Sequence, residues 1–340
     1  MKKLKTTSLS AVSIAALLAL AACGGGGDGG GSSTGSTGSG SGSSGGGSTP
    51  VAVTGTLDSP QYAQGSAQLA VFNLLNQYRT QCGFPALKEN TVLDQAADAH
   101  AKYEGLNNAL SDNETAGSQG FTGVTYVDRA AHFGFPSGAV GWGVGGGSAA
   151  LSTSFSGTGA GNQMVYSLLA GVYHSGAVMF PVNTVGIGES ETQMTSGGNN
   201  WTQAWGSMSL LNTATQTLSG APLTFPCQGV TGVPYRSLGE VPTPPGVGSA
   251  GWGTPIVVMS NFTDTIVLQS AAVTGPSGAV AVQILNSDND PNKLLGKYQG
   301  VAYPTSPLAP NTTYNVSISG TVNGTAFSRS FSFTTGDVVG

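Results

Sequence analysis

Charge is what this sequence has least of. Only 11 of its 340 residues are Lys or Arg and 16 are Asp or Glu, so charged side chains make up 8% of the chain, against about 25% in typical globular proteins. So few basic residues exclude a nucleic-acid-binding protein, because binding to phosphates requires clustered Lys and Arg. The low charge, together with 54 glycines, is typical of an exported Gly/Ser/Thr-rich protein rather than of a cytosolic enzyme.

The basic residues that do exist are concentrated at the start of the chain. Lys2, Lys3 and Lys5 precede an apolar run at 11–20. A run of about ten residues is too short to cross a membrane, which takes about 20, but it has the length of a signal-peptide core. We predict that residues 1–22 are a signal peptide. Without the three lysines the chain keeps 11 − 3 = 8 basic and 16 acidic groups, a net charge of −8.

A cysteine ends this segment, in the run Leu20-Ala21-Ala22-Cys23. The run resembles the lipobox of bacterial lipoproteins, in which the Cys is acylated and becomes the first residue of the mature protein. Several acyl chains on one residue give stable membrane anchoring. Gly24, rather than Asp, follows the Cys, which resembles the pattern of lipoproteins sent to the outer membrane. We therefore expect a lipid-anchored protein of the bacterial cell envelope, on the periplasmic face or the cell surface. An ordinary signal peptide with a Cys at its junction remains the alternative.

A low-complexity segment follows the cysteine. Residues 24–49 contain 14 Gly, 8 Ser, 3 Thr and one Asp. Such a composition cannot bury apolar surface, and it is typical of a disordered linker with a mean reach of roughly 25–30 Å. Residues 23–59 are therefore predicted to tether the folded part to the membrane.

If Cys23 is lipidated, Cys82 and Cys227 remain as one pair. An exported protein lies in an oxidising compartment, where disulfides form and persist. The predicted bond would close a loop of about 145 residues and would stabilise the fold by up to about 5 kcal/mol in the chain-entropy model. Two buried free thiols are the alternative.

The region 60–228 is predicted to be the first folded domain. Leu69, Phe72 and Leu75 share one face of a first amphipathic helix, and a second helix runs near 91–107. A Gly-rich stretch around 141–147 precedes a third helix at about 160–172, and strand-like segments follow at 184–188 and 201–210. Helices followed by strands predict an α+β fold, with an α/β/α sandwich around a small sheet.

An ordered set of landmarks in this region carries a family resemblance. In chain order they are Asn76, Arg79, Gly83, Leu87, Leu93, Ala96, His100, Ala101, Tyr103, Leu110-Ser111-Asp112, Glu114, Phe121-Thr122-Gly123, Asp128-Arg129, Gly134-Phe135, Tyr173-His174 and Val185-Gly186-Ile187-Gly188. The set resembles bacterial members of the CAP superfamily, which includes cysteine-rich secretory proteins, antigen 5 and pathogenesis-related proteins. The resemblance covers about 165 residues.

The resemblance also implies a cleft. In the family, a central cleft typically holds two His and two acidic residues, a set that suits a divalent metal. Here Asp112 replaces the His of a Ser-His-x-Glu pattern, Glu114 follows it, and Trp142 replaces the Glu of a Gly-Glu pattern. His174 is the one His at a matching position. We therefore take His174, Glu114, Asp112 and Trp142 as candidate cleft or ligand residues, and expect no metal, no cofactor and no catalytic residue. A zinc site with three protein ligands would have to recruit His174, Asp112 and Glu114.

The other two histidines are predicted to be structural. His100 shares an apolar helix face with Leu93 and Ala96, so we expect a hydrogen-bonded core residue. His132 follows a short helix and is expected at the surface or as a C-terminal cap. No Gly-x-Ser-x-Gly elbow stands on a predicted strand-to-helix turn, so a serine nucleophile is not indicated.

A Pro-rich run at 242–246 indicates a stiff boundary. We predict a hinge over 229–251 and an all-β domain over 252–340, with strands at 255–260, 264–270, 279–285, 299–303, 312–322 and 325–334. Asn323-Gly324 between the last two is a strong hairpin signal. Tyr314 resembles the tyrosine corner of fibronectin type III and related Ig-like sandwiches. The cluster 288–292 lacks the Gly and Glu of a calcium loop, so we interpret it as a turn.

These observations favour a non-enzymatic protein whose CAP-like domain binds an apolar ligand, such as a lipid, or an envelope or host partner. The family's association with sterol or lipid binding supports this interpretation. A metal-dependent hydrolase acting on protein or envelope polymer is the first alternative, and a structural or adhesive surface protein is the second. The expected partners are the membrane, through the N-terminal lipid, and an apolar small molecule or a protein, but not nucleic acid.

Overall fold

The structure is a computed structural model that describes residues 53–340. The predicted signal peptide, Cys23 and nearly all of the predicted tether lie outside the described residues. Within 53–340, none of the helices has both the length and the apolar character that a membrane span requires.

The first part of the described chain combines five helices with a four-stranded sheet. In chain order its elements are α1 (Ala67–Gln81), β1 (Lys88–Glu89), α2 (Thr91–Asn107), α3 (Tyr126–His132), β2 (Val140–Leu151), α4 (Gly157–Ala170), α5 (His174–Val178), β3 (Thr184–Ser196) and β4 (Asn199–Asn212). The strand order is β1-β3-β4-β2. β4 pairs antiparallel with β2 and β3, and β1 pairs parallel with β3.

Helices cover both faces of this sheet. α2 packs directly on the backbone of β3, where a Cβ at Gly186 would lie 2.0 Å from the Leu93 carbonyl carbon and one at Gly188 would lie 2.1 Å from the Asp98 nitrogen. Only glycine permits so close an approach. α4 covers the opposite face, where Met164 Sδ would lie 2.7 Å from a Cβ at Gly206. The sheet is therefore enclosed, which accounts for the burial of β4 from Thr202 to Asn212.

Side chains fix where the helices begin. The Asn90 side chain accepts hydrogen bonds from the N–H groups of Val92 and Leu93 at the start of α2. Thr125 and Asp128 form a reciprocal capping box at the start of α3. Each cap satisfies N–H groups that have no partner inside the helix.

β2 is a strand of 12 residues across the Gly-rich stretch, where the sequence pattern indicates no strand. It pairs with β4 along its whole length. Glycine disfavours strands, but here neighbouring groups require it. A Cβ at Gly143 would lie 2.4 Å from Tyr126 Cβ, and one at Gly147 would lie 2.9 Å from Gln203 Nε2. Tertiary contact therefore overrides local propensity.

The remainder of the chain forms two further sheets. Its strands are β5 (Leu223–Phe225), β6 (Thr231–Val233), β7 (Ile256–Met259), β8 (Ile266–Gly275), β9 (Gly278–Val280), β10 (Val282–Asn286), β11 (Gln299–Pro304), β12 (Thr313–Val322) and β13 (Thr325–Thr335). One sheet has the order β10-β11-β7-β5 and the other β6-β13-β12-β8-β9. Most strands from β7 onward lie within a few residues of those the sequence predicts, but β8 extends to Gly275 and the predicted strand 279–285 is divided into β9 and β10, which belong to different sheets.

Two local predictions in this region are confirmed. Asn323 and Gly324 have φ angles of 51° and 79° and connect the β12–β13 hairpin, as an Asn-Gly turn requires. The Tyr314 hydroxyl accepts a hydrogen bond of 2.8 Å from the backbone N–H of Ala309. This bond ties the start of β12 back to the preceding loop.

The junction between the two parts differs from the predicted hinge. β5 pairs with β7, and β6 pairs with β13, so segments expected in the first domain and the hinge complete the C-terminal sheets. One continuous apolar core extends from Phe72 in α1 to Phe333 in β13. The two parts therefore pack as one body, and 229–251 is not a free linker.

The predicted disulfide is confirmed. Cys82 and Cys227 are bonded, with a Cα–Cα distance of 5.5 Å and a sequence separation of 145 residues. Cys82 is the C-cap of α1, and Cys227 lies between β5 and β6. The bond therefore fastens the first helix to the strands that enter the C-terminal sheets.

Candidate functional site

A surface cleft of about 670 Å³ lies between the two parts of the molecule. Its lining includes residues from the loop before α3, from α3, from the start of β2 and from the C-terminal region. They are Asp112, Asn113, Thr125, Tyr126, Val127, Asp128, Ala139, Val140, Gly141, Trp142, Gly143, Phe180, Phe262, Lys293, Leu294, Leu295, Gly296 and Tyr298. A cavity of this size can hold a small organic molecule.

Four aromatic rings form one wall of the cleft. Phe180 is at their centre, with ring centroids 6.4 Å from Trp142, 5.7 Å from Phe262 and 5.4 Å from Tyr298. All three contacts are edge-to-face, the arrangement that aromatic quadrupoles favour. Phe180 and Tyr298 are buried, whereas Phe262 is 44% exposed. The wall thus combines a fixed base with one ring that remains accessible.

Charged residues occur on both sides of the cleft opening. Asp112 and Asp128 belong to the first part of the chain, and the exposed Lys293 belongs to the C-terminal part. Asp128 is held in the α3 capping box by the N–H and the hydroxyl of Thr125. The cleft therefore has an apolar, aromatic surface with a lysine on one side and two aspartates on the other.

The structure separates the four candidate residues taken from the sequence. Asp112 and Trp142 line the cleft. Glu114 and His174 do not, because each is buried beneath the surface with a polar partner, at 2% and 0% exposure. The expectation that His174 faces a cavity therefore has to be corrected. Trp142 contributes its ring to the aromatic wall of the cleft.

Glu114 belongs to a buried cluster around His100. His100 Nδ1 lies 3.0 Å from Glu114 Oε1, and His100 Nε2 lies 2.7 Å from the Ser111 carbonyl oxygen. Glu114 also accepts hydrogen bonds from the N–H groups of Thr122 and Gly123. The prediction that His100 is a hydrogen-bonded core residue is confirmed. The cluster fixes the loop between α2 and α3 against α2.

Two further charged groups complete this cluster. Arg129 donates to the carbonyl oxygens of Val124 and Asp112, with Nε 3.9 Å from Glu114 Oε1. Glu104 accepts from the Ser111 N–H through Oε1, while its buried Oε2 has no hydrogen-bond partner among the described residues. Arg129 is thus the cation nearest to Glu114.

Burial and pairing shift the protonation of these groups in different directions. Burial raises the pKa of Glu104 well above its usual range, so its carboxyl is protonated over a wider pH range than an exposed one. Burial also acts to raise the pKa of Glu114, but hydrogen bonds from His100 and Thr122 and the charge of Arg129 hold it below the ordinary value. Burial lowers the pKa of His100. The pKa values of the two neighbouring carboxyls are thus shifted in opposite directions.

His174 lies at the start of α5 and is paired with Glu240 from the segment after β6. Glu240 Oε1 is 2.6 Å from His174 Nδ1 and accepts the backbone N–H groups of Tyr173 and His174. Glu240 Oε2 accepts the N–H of Val172. Both side chains are buried. This carboxylate therefore caps the turn before α5 and fastens the connecting segment to the first part of the molecule.

A separate group of carboxyls lies near the α2–β3 contact. Burial raises the pKa of Asp94 to about 7, although Asp94 accepts hydrogen bonds from the Ile187 N–H and the Tyr62 hydroxyl. Burial and the charges of Glu191 and Asp98 raise the pKa of Glu189 to about 7. None of these groups lines the cleft. Perturbed carboxyls mark active sites only when they meet in a cavity with other groups.

Sequence reasoning missed most of the residues that build these sites. Glu104 follows His100 by four positions and thus shares its helix face. This spacing could have predicted that the two side chains lie close together. Glu240, Phe262 and Tyr298 carry no local signal, because they reach their partners through distant chain connections. His132 ends α3 on the surface, as predicted. Within residues 53–340, no three or more His, Cys, Asp or Glu side chains are grouped so that they could hold a metal ion.

The geometry defines a class of protein: a mixed α/β domain with a helix-covered sheet and buried His–carboxylate pairs, joined to a two-sheet β region across an aromatic cleft. Residues 72–204 match the family model described as CAP, cysteine-rich secretory protein family. The chain therefore contains a CAP domain, which agrees with the resemblance seen in the sequence. The comparison with curated proteins found no match for the chain.

Proposed function

We propose that this is a lipid-anchored, extracytoplasmic CAP-domain protein that binds an apolar ligand, without catalysis, in the cleft between its CAP domain and its C-terminal sheets. The observation that carries the proposal is the wall of Trp142, Phe180, Phe262 and Tyr298. Small-molecule sites are typically concave and apolar with a few polar anchors. Lys293 supplies such an anchor for an anionic group. An envelope or host protein that presents an apolar side chain is a further candidate occupant.

The hydrolase alternative has less support from the geometry. A zinc site would need His174, Asp112 and Glu114 to converge. Asp112 lies on the cleft, Glu114 lies in the His100 cluster and His174 pairs with Glu240. Stoichiometric zinc in the purified protein would favour the hydrolase over the binding protein. For the C-terminal region we propose an Ig or fibronectin type III-like domain, supported by its two sheets and the Tyr314 back-bond.

The cleft is tested with two probes, 1-anilinonaphthalene-8-sulfonate by fluorescence and palmitate by calorimetry. Phe262→Ala removes the exposed ring of the wall. We expect the affinity for both probes to fall about tenfold or more, because burying an aromatic ring contributes roughly 1.5–3 kcal/mol and 1.4 kcal/mol corresponds to a factor of ten. Lys293→Met should weaken binding of both anions.

Phe121→Ala is the matched control, since Phe121 is also an exposed phenylalanine, at 37%, and does not line the cleft. It should bind both probes as the unaltered chain does. Binding that is absent from the unaltered protein, or equal in Phe262→Ala and Phe121→Ala, would remove the basis for the proposed function.

The proposed anchor has its own test. Cys23→Ala removes the only thiol that a lipobox could acylate, so the protein should move from the membrane fraction to the soluble extracytoplasmic fraction. One acyl chain gives marginal binding and several give stable anchoring, so the shift should be nearly complete. Fractionation with immunoblotting measures it. Unchanged membrane association of the variant would contradict lipidation at Cys23.

A further inference from the structure

The far end of the CAP-domain sheet extends past its covering helix and carries an apolar row. Leu151 on β2 lies opposite Trp201 on β4, which lies opposite Met194 on β3. Paired residues of neighbouring strands project from the same face of a sheet. Leu151 is 38% exposed and Met194 is 47% exposed, and Trp201 is half-buried. Three large apolar side chains thus form one line on a projecting edge.

This row lies on the face that α2 covers elsewhere. Thr192 and Trp205 lie 3.3 Å from a Cβ placed at Gly105 in the last turns of α2. α2 ends two residues later at Asn107, and Met194 lies two positions beyond Thr192 on the same face. The helix therefore stops before it reaches the row, which leaves the row uncovered.

Two more exposed apolar residues lie at the same end of the domain. Leu106, at 43% exposure, is in the last turn of α2, with Cδ1 3.1 Å from a Cβ placed at Gly120. Phe121, at 37%, is the next residue after Gly120. With Leu151, Met194 and Trp201 they form what we call the apolar tip. Clustered exposed apolar side chains indicate an interaction surface, whereas single ones need no explanation.

The sheet around the apolar tip carries little charge, because β2 and β4 have no charged residue and the two on β3, Glu189 and Glu191, project from the face opposite to Met194. No Asp, Glu, Lys or Arg occurs between Arg129 and Glu189, or between Glu191 and Arg236. The β3–β4 hairpin closes at Gly197 and Gly198, with φ angles of 58° and 76°. Its neighbours are Thr, Ser and Asn. The tip thus combines an uncharged polar turn with a Trp and aliphatic side chains. Residues of this kind are typical of protein segments in the interfacial region of a bilayer.

The position of the chain start also fits a membrane. Thr56, near the first described residue, pairs with Asn90 at the beginning of α2, so the described chain starts about 25 Å, the length of α2 at 1.5 Å per residue, from the apolar tip. Twenty-nine residues, 24–52, separate Cys23 from the described part, and a chain of that length can span more than about 25 Å because it covers up to about 3.3 Å per residue. A lipid on Cys23 could therefore enter the same membrane surface that the tip contacts.

From these observations we propose that the apolar tip inserts into the interfacial region of a zwitterionic lipid bilayer and orients the tethered protein on the membrane. The proposal rests on the lipid anchor of the proposed function. The net acidic character of the chain disfavours an anionic lipid surface. A lipid surface is preferred to a protein partner because the residues of the tip and of the β3–β4 turn carry no charge that would specify one.

The test uses the full processed lipoprotein, reconstituted in phosphatidylcholine vesicles with brominated acyl chains, which quench tryptophan at short range. Trp201 should be quenched, and Trp201→Phe should remove that quenched component. A Leu151→Ser/Met194→Ser variant keeps Trp201 but should lose its quenching. Val267→Ser, at an exposed apolar residue outside both the tip and the cleft, should leave quenching unchanged. Vesicles rich in phosphatidylglycerol should give less quenching.

Flotation of the vesicles separates the two proposals. Protein that floats with the vesicles but shows no Trp201 quenching would overturn the tip proposal and leave the anchor intact. If Trp201 is not quenched and sedimentation shows that the protein self-associates, the tip contacts a second copy of the chain. That result would also overturn the membrane proposal. Protein that does not float would overturn both the anchor and the tip. A folded double variant, checked by circular dichroism, with unchanged quenching would contradict the assignment of these residues.

Discussion

Arg79→Ala is expected to lower the free energy of unfolding by about 3–5 kcal/mol, because it removes a buried side chain that donates to several backbone carbonyl oxygens. Arg79 is fully buried in α1, and its guanidinium donates to the carbonyl oxygens of Pro85, Val178, Phe180 and Val182. Burial lowers its pKa to about 9, so it stays charged at neutral pH. Removing it takes a donor from all four carbonyl oxygens, although that of Phe180 keeps the Val182 N–H, and a buried acceptor left unpaired costs about 1–3 kcal/mol.

Arg79→Lys should recover only part of the loss, because an ammonium has three donors and cannot reproduce the planar fork. Arg329→Ala is the matched control, since Arg329 also donates to backbone carbonyls, those of Ser328 and Pro222, but at a partly exposed position. It should cost less than about 1 kcal/mol. Urea unfolding followed by circular dichroism measures all three variants. A loss below about 1 kcal/mol in Arg79→Ala would show that these carbonyls find other donors.

Removal of the Cys82–Cys227 disulfide is expected to destabilise the protein by about 2–5 kcal/mol. The bond closes a loop of 145 residues, and in the chain-entropy model a cross-link stabilises mainly by restricting the unfolded chain. The double variant Cys82→Ala/Cys227→Ala and each single variant should lose similar amounts, because either substitution removes the same cross-link. The urea midpoint is the measurement.

Alkylation of the native, non-reduced protein provides the control for this comparison. It should label neither Cys82 nor Cys227, and peptide mapping should recover them as one linked pair. Labelling of both cysteines in the native state would contradict the disulfide. An unchanged urea midpoint in the double variant would contradict its stabilising effect. A reduced sample of the unaltered protein should unfold at the same urea concentration as the double variant.

The Phe180 region connects these stability predictions to the cleft. Arg79 binds the carbonyl oxygen of Phe180 through two nitrogens, and the Phe180 ring is the base of the aromatic wall. The buried guanidinium thus fixes the backbone from which the central ring projects. The position of Arg79 in α1 is therefore a structural requirement of the proposed site rather than part of its binding surface.

Local sequence patterns determined several elements of this protein. The period of 3.6 residues marked α1 and α2, alternation marked β12 and β13, and Asn323-Gly324 marked their hairpin. These patterns can be recognised in the sequence because each depends on residues within one turn or one strand pair. The Cys82–Cys227 pair could be predicted because few cysteines leave few pairings. The CAP resemblance followed from the order of landmarks along the chain.

The tertiary structure alone decided where the site lies. β2 forms through a Gly-rich stretch because Tyr126 and Gln203 occupy the space that its side chains would take. Glu240 reaches His174 from 66 positions away and removes that histidine from the cleft. Phe262 and Tyr298 complete the wall begun by Phe180 because the C-terminal sheets pack against the CAP domain in one core. Contacts between residues so distant in the chain depend on the packing of whole elements, which no local period or spacing encodes.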